Sequence, residues 1–573
     1  MSRDLRQRHM KRFNALLTIR RSSWEPVYRD LSYYMAPRRS RFFQTEATTA
    51  GQKKEARIIN NTATIAVRTQ AAGMMAGITS PARPWYSITT ADPDLAERDE
   101  VMGWTSIVEQ RLRMMMLKSN LYNGLQVLYP DISVFGTSPM FLDNDGPGQI
   151  RAYPIPVGEY VLGLSDRGVV DTLYRETSLS VSQLVKKFEK PGQPLKVVSQ
   201  RVRDLYNAGN YDALIEVLHV VCPREEYDHT RPGPLNMPFA SCWMEKDAED
   251  GAPLLSEKGY EVFPVVAPRW AVTSLSDAYG YGPGYEALGD VKELQLLERK
   301  SSLVAELLAD PPVNAGVEMQ MRQVSMLPGA VNYVDDLKGP SVVPAIQVNP
   351  QALPALEGRI RAREEKINAA FSSNLWLMMS EQDEQGQPVT AREVAERHEE
   401  KMLQLGPVLE RLTDELLNPM VSRYYGVALA AGLLPPPPKV LARQPLRVEY
   451  TSIMAQAMKA AGFSGLEQFT SFVGNLAQVN PDVLDVVDFD EVAYEAGRSL
   501  GANPKVMRPP EQVQQRRAQR QKQQQAEAAA KQGLAAAQAA KNLGQASTGP
   551  DTALGQLGGI AAAQGAPDNG GQP

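Results

Sequence analysis

Gly280, Gly282 and Gly284 in the run YGYGPGYEALGD stand just ahead of an apolar-periodic stretch, where backbone amides at a helix start could cradle a phosphate. The Lys-Ser or Lys-Thr pair that such a cradle needs is missing and Pro283 removes one amide donor, so the run is expected to be a hinge that admits a long helix. His9, His219, His229 and His398 share no metal-ligand spacing. Cys222 and Cys242 are too few and too far apart for a zinc site or a disulfide framework, and read as buried apolar residues of a chain kept in a reducing cytoplasm. SVFGTS, from Ser133 to Ser138, lacks the Gly-x-Ser-x-Gly elbow of a hydrolase nucleophile. Glu381, Asp383 and Glu384 are densely acidic, but they lie in the polar stretch SEQDEQGQP with no desolvating neighbour to raise a carboxyl pKa. These patterns make no catalytic constellation, and neither a cofactor nor a metal is expected.

One set of charges is spaced more pointedly. Arg359, Arg363 and Lys366 fall on one face of a helical stretch, while Arg361 lies four residues from Glu365 on another. Ion pairing within the helix or between subunits is the plain reading, and an inward-facing basic ring is the functional one. The elements that must position these charges are two long helices around a Pro-rich insert. The first carries Leu288, Val291, Leu294, Leu297, Val304 and Leu308 and stops at Asp310-Pro311-Pro312; the second carries Leu353, Leu356, Ile360, Ile367 and Phe371. Each would be roughly 40 Å long, enough for antiparallel pairing along the whole length.

Around that pair the pattern is mixed. The first forty-one residues hold eleven basic and three acidic side chains, but Leu5, Phe13, Leu16 and Leu17 recur at helical intervals, so a solvated helix face is expected rather than a nucleic-acid arm. Helical pattern returns near Ile58 to Ile78 and from about Asp94 to Lys118; short apolar runs then mark residues 139–273 as β-rich, with one helix after the capping box begun by Ser180 and closed by Gln183. Thr390 and Glu393 form a second capping box, opening a helix in which Pro407 should make a kink and whose stripe includes Leu405, Leu409, Leu412 and Leu416. The prolines from Pro435 to Pro438 mark a stiff boundary, and a low-complexity, largely disordered tail is expected over 511–573, with a frayed helix open for its first half and disorder for its last thirty residues. Met114 to Met116, with Met378 and Met379, read as adaptable packing. A formal charge of −5 argues against coating nucleic acid through general basicity, and no apolar run is long enough to span a membrane.

In their order along the chain, SSWEPVYRDLSYYMAPRRSRF, INNTATIAVRTQAAGMMAGITSPARPWYSI, FGTSPMFLD and GYGPGYEALGDVKELQLLERKSSLVAELLADPPV resemble the podovirus (T7-like) head-to-tail connecting protein, the portal of tailed bacteriophages. The resemblance covers about residues 1–430 and rests on number and order of motifs, not on a catalytic fingerprint. It implies an elongated α+β subunit with a wing over 1–283, stem helices over 284–310 and 351–377, and a clip over 311–350. A tunnel loop over 378–389, a kinked wing helix over 390–432 and a mainly helical crown over 433–510 would complete it. As implied by the resemblance, Ser380, Glu381, Gln382, Asp383, Glu384, Gln385, Gly386 and Gln387 would face passing double-stranded DNA, with Arg359, Arg363 and Lys366 as channel-lining candidates. Glu318, Arg322, Asp335, Asp336 and Lys338 would be the clip residues that meet partners. The implied protein is a non-enzymatic, dodecameric ring at one capsid vertex of the virion, assembled in host cytoplasm. Its implied partners are its own copies, the terminase large subunit, tail adaptors, and capsid or scaffolding proteins. Two other readings stay open on sequence: another virion structural protein, such as an internal core or tail adaptor, and a nucleic-acid-processing enzyme.

Overall fold

Apolar residues recurring at helical intervals over the first twenty residues make α1 (Ser2–Ser23), and Pro26 in the first turn starts α2 (Glu25–Tyr34). Next come α3 (Thr62–Gly77), the short α4 (Pro93–Ala96), α5 (Asp99–Lys118) and α6 (Leu121–Phe135). The capping box read at Ser180 is present: its side chain accepts from Gln183 N, Gln183 returns a bond to the Ser180 amide, and α7 (Val181–Phe188) follows, then α8 (Gln200–Asn207). Two longer helices, α9 (Pro283–Ala309) and α10 (Ala352–Ala370), precede α11 (Ser373–Ser380). A helix over 405–430, α12, carries a π-helical turn at Thr413–Leu417. The computed structural model describes residues 2–39, 41, 57–96, 98–228, 230–231, 233–249, 252–309, 311–315, 342–344, 349, 351–380, 405–441, 444–451, 469–477, 480–499 and 510–544.

The strands are antiparallel throughout. A five-stranded sheet joins, in order, Tyr160–Leu164, Val170–Ser180, Leu214–Pro223, Phe239–Glu245 and Ser256–Tyr260; a three-stranded sheet has Met140–Asn144 between Ile150–Pro154 and Val265–Val266. Tyr86–Thr90 pairs with Leu446–Tyr450, and Val313–Ala315 with Val342–Pro344, so the two ends of the insert between α9 and α10 meet in a short ladder. Alternation along the strands places Leu218, Val220 and Cys222 beside Ala240, Cys242 and Met244 on one face, under Phe13 and Leu17 of α1. Both cysteines are therefore core residues, free and buried, and burial pushes their thiols up to about 11 and about 12. The basic side chains of α1 hold it to the sheet: Arg6 donates to Glu245 O at 2.7 Å, and Arg20 to Tyr160 O at 2.7 Å and Gly158 O at 3.1 Å. A helical cover for the sheet is what that segment is.

The chain divides into two units, Met1–Leu476 and Ala477–Pro573. Within the second, α13 (Phe489–Ser499) and α14 (Pro510–Gly544) are joined by an Asp490–Arg517 ion pair. The helix α14 takes up the first half of the low-complexity tail, the part open to a helix on sequence. Its 35 residues are mostly Gln, Ala, Lys, Arg and Glu, all strong helix formers, so local propensity sustains a helix that has no apolar stripe. Residues 545–573 lie outside those described.

One buried acid gives the fold a pH signature. Asp131 of α6 is 2% exposed and faces Arg39 Nε at 3.2 Å; burial outweighs the guanidinium and lifts its carboxyl from 3.8 to about 7. The unfolded chain releases this proton near the ordinary value and the folded chain only near neutrality, so stability falls as pH rises through that window and levels off above it. Asp131→Asn is expected to raise the denaturation midpoint at about pH 8 and to leave it nearly unchanged at about pH 4, as denaturant titrations at the two pH values will read.

Candidate functional site: the paired long helices and their seating

Residues at the root of α9 are there because backbones touch. A Cβ on Gly280 would come within 2.7 Å of Gly136 O and Ala271 O, on Gly282 within 2.9 Å of Ile132 O, and on Gly284 within 2.4 Å of Val134 O. None of the three has a positive φ. The run is thus no hinge: it is a crossing over the C-terminal end of α6, whose last carbonyls lie where side chains would project. Gly136 closes α6 in the left-handed conformation at φ 72°, and Thr137 Oγ1 accepts from Gly280 N at 2.7 Å. FGTS and GYGPG, which are far apart in sequence, are the two halves of one joint.

Aromatic side chains fill the space beside it. Trp24, the N-cap of α2, and Tyr28 within it pack against Tyr279 and Tyr285, with ring centroids 5.6 to 6.4 Å apart, and Tyr160 stacks on Tyr279 at 6.2 Å. Tyr279 OH accepts from Leu162 N at 3.0 Å, and burial pushes its hydroxyl up to about 12. A polar knot sits just above. Gln295, 5% exposed, accepts from the amides of Ile59 and Asn60 at 2.6 and 3.0 Å and donates to Asn60 O at 2.8 Å. Asn60 Nδ2 donates to Glu298 on α9 at 2.7 Å and to Glu364 on α10 at 2.8 Å, and Asn60 Oδ1 accepts from Thr62 N at the start of α3. One asparagine ties three helices.

Helices α9 and α10 run antiparallel, as the order of their ion pairs shows: Arg359 meets Glu293 at 2.9 Å, and Arg363 meets Asp290 at 2.5 Å and Glu293 at 3.0 Å. Two of the three candidate lining cations are thus matched to acids of their own chain's α9, and Lys366 is exposed. Val291, Leu294 and Leu297 face Ile360 and Ile367 in the shared core, following the periodicity read from sequence. The expected equal lengths do not appear. Helix α9 has 27 residues and α10 has 19, about 40 and 28 Å at the α-helical rise. The helix expected to continue to 377 breaks at Ser372, which takes φ 49°, because Phe371, Leu375 and Trp376 turn inward against α3. Trp376 occupies the space that a Cβ on Gly73 would need, 2.6 Å from Trp376 Cβ. Ser380 ends α11; Glu381, Gln382, Asp383, Glu384, Gln385, Gly386 and Gln387 lie outside the described residues, as do Thr390, Glu393, His398 and the clip candidates Glu318, Arg322, Asp335, Asp336 and Lys338.

In α12 the ladder is disturbed at Thr413–Leu417, ahead of Pro419; the turn preceding Pro407, where a kink is expected, lies outside the described residues. Pro419 has no N–H for Glu415 O and its ring crowds that carbonyl, so the turn before it widens. The widened turn presents Glu415 to Arg269, which is 3% exposed. Arg269 Nη2 donates to Glu415 Oε1 at 2.6 Å and Arg269 N to Oε2 at 2.8 Å, while its remaining donors reach Asp277 O at 2.6 Å and Gly168 O at 2.9 Å. Sequence reading missed this clamp; an acid between Leu412 and Leu416 in an apolar stripe was its only signal. Among the described residues, no group of three His, Cys, Asp or Glu side chains could hold a metal, and no helix is long and apolar enough to cross a membrane.

The family model for the bacteriophage head to tail connecting protein matches residues 6–507, and the chain belongs to that family, the phage portal proteins. It is 39% identical to the portal protein of Salmonella phage epsilon15 over 569 residues, covering 99% of this chain and all of that one. To the probable portal protein of Bordetella phage BPP-1 it is 35% identical over 542 residues, covering 94% of this chain and 95% of that one. Among solved structures, a chain of the neck of an empty GTA particle is similar over 72% of this chain and 86% of its own, at 11% identity and a TM-score of 0.34. Portal proteins are structural proteins of the virion that form a ring at the capsid vertex and connect head and tail parts.

Proposed function

We propose that the chain is the subunit of a closed ring of twelve copies, which catalyses nothing and through which double-stranded DNA passes during packaging and ejection. The stem observation carries this reading: Arg359 and Arg363 are matched by Glu293 and Asp290 of the same chain, so a channel lined by α10 would offer DNA a neutralised wall. Six to ten phosphate contacts suffice for a strongly salt-dependent DNA complex, and a ring of bare guanidinium groups would grip its cargo. Following Ser380 at the end of α11, the acidic stretch Glu381–Gln387 then forms the loop nearest the DNA, with no base-edge code and a net repulsion toward phosphate. The insert between α9 and α10, with Glu318, Arg322, Asp335, Asp336 and Lys338, is the face for the terminase large subunit and, after packaging, for tail adaptors. Capsid or scaffolding proteins hold the wing in the shell.

Light scattering on the purified protein is expected to give a mass near twelve times 63.1 kDa, and negative-stain images a ring with a central hole. A stable monomer at micromolar concentration, across low and high salt, would refute the ring.

A further inference from the structure

We propose that the outward face of α5 is a docking track for an acidic amphipathic α-helix of a partner protein. Helix α5 is two-faced. Val101, Trp104, Val108, Leu112 and Met116 are buried in the core, yet on the opposite side Ile107, Met114 and Leu117 are 45%, 49% and 45% exposed. Gly103 and Gln110 are also exposed, and the series Gly103, Ile107, Gln110, Met114, Leu117 advances by alternating intervals of four and three. That is the spacing of the seam along which a second helix packs.

The seam lies between two walls. On one side Trp104 Nε1 donates to Pro435 O at 3.1 Å and Arg111 to Leu433 O, which sets the exposed Leu433 and the Pro-rich run beside the helix. On the other, Arg113 Nη2 donates to Ala82 O at 3.4 Å, next to the exposed Arg83. The charge is one-sided over the C-terminal half: Arg83, Arg111, Arg113 and Lys118 surround Met114 and Leu117. The one carboxylate in that half of the helix, Glu109, accepts from Ile88 N at 2.6 Å, and the exposed Asp99 and Glu100 stand at the helix's other end. A helix that matches both features carries apolar residues at four-three spacing with Glu or Asp on their flanks. The docking track rests on this face remaining open when copies of the chain assemble.

The test uses the assembled full-length protein and two synthetic helical peptides with the same leucine seam, one flanked by glutamates and one by lysines, read by fluorescence anisotropy. The glutamate peptide is expected to bind at least about tenfold more tightly than the lysine peptide, and more weakly as salt is raised. Met114→Glu should weaken it by about tenfold or more, with assembly mass and far-UV circular dichroism unchanged. Ile107→Gln, a milder change, should give a smaller loss and stands in should Met114→Glu fail to fold. Equal binding of the two peptides, or no binding of either, would overturn the proposal. A change of assembly mass in either variant would overturn it too, by showing that the face is covered by a second copy of this chain.

Discussion

Glu415→Ala is expected to destabilise the first unit by about 3–5 kcal/mol, the cost of leaving a buried guanidinium without its carboxylate. Arg269 cannot shed its charge and cannot reach water at 3% exposure, so the loss falls on folding rather than on protonation. Its bonds to Asp277 O and Gly168 O would remain, but these neutral acceptors do not balance the charge. Denaturant unfolding followed by tryptophan fluorescence should show the shift, because Trp270 adjoins the clamp in sequence. The double substitution Arg269→Met with Glu415→Leu should recover most of the loss, since removing both partners of a buried pair leaves no orphan charge. If the double variant is as unstable as the single one, the clamp matters through backbone geometry at the π-turn and not through its charges.

Glu381→Lys, Asp383→Lys and Glu384→Lys together are expected to leave rings and procapsids intact and to stall packaging. Each substitution changes the charge by two, and the ring repeats the change in every copy. The new cations would exceed the roughly six to ten phosphate contacts that already make DNA binding strongly salt-dependent. Exposed loop positions usually tolerate substitution within about 0.5 kcal/mol, so assembly should survive. The rate of DNA entry into procapsids, measured at low and at raised salt, should drop sharply and recover in part as screening grows. Packaging at the parental rate would mean that this stretch does not face DNA, or that its charge does not govern passage.

Much of the architecture was legible because it is periodic. Val291, Leu294 and Leu297, with Ile360 and Ile367, announce two helices by spacing alone, and Ser180 with Gln183 announces a third by its cap. What stayed hidden depends on residues distant in sequence. That Gly280 meets Gly136, or that Trp376 fills the place of a Cβ on Gly73, is a fact about two backbones in space, and a glycine alone reads equally well as a hinge. The break at Ser372 was invisible for the same reason: serine carries no preference for φ 49°, and only the burial of Phe371 and Trp376 imposes it. Between α9 and α10, type and spacing gave the cations, and only the fold revealed that Arg363 faces Asp290 and Glu293.

The glycine joint at the base of α9 also has a mechanical meaning. Side chains between two packed helices act as springs, because rotamers can shift before the backbone does. At Gly280, Gly282 and Gly284 no side chain intervenes, and the main chain rests against the last carbonyls of α6. A pull along α9 therefore reaches α6 with little slack at this joint, so the helix is mounted stiffly at its base.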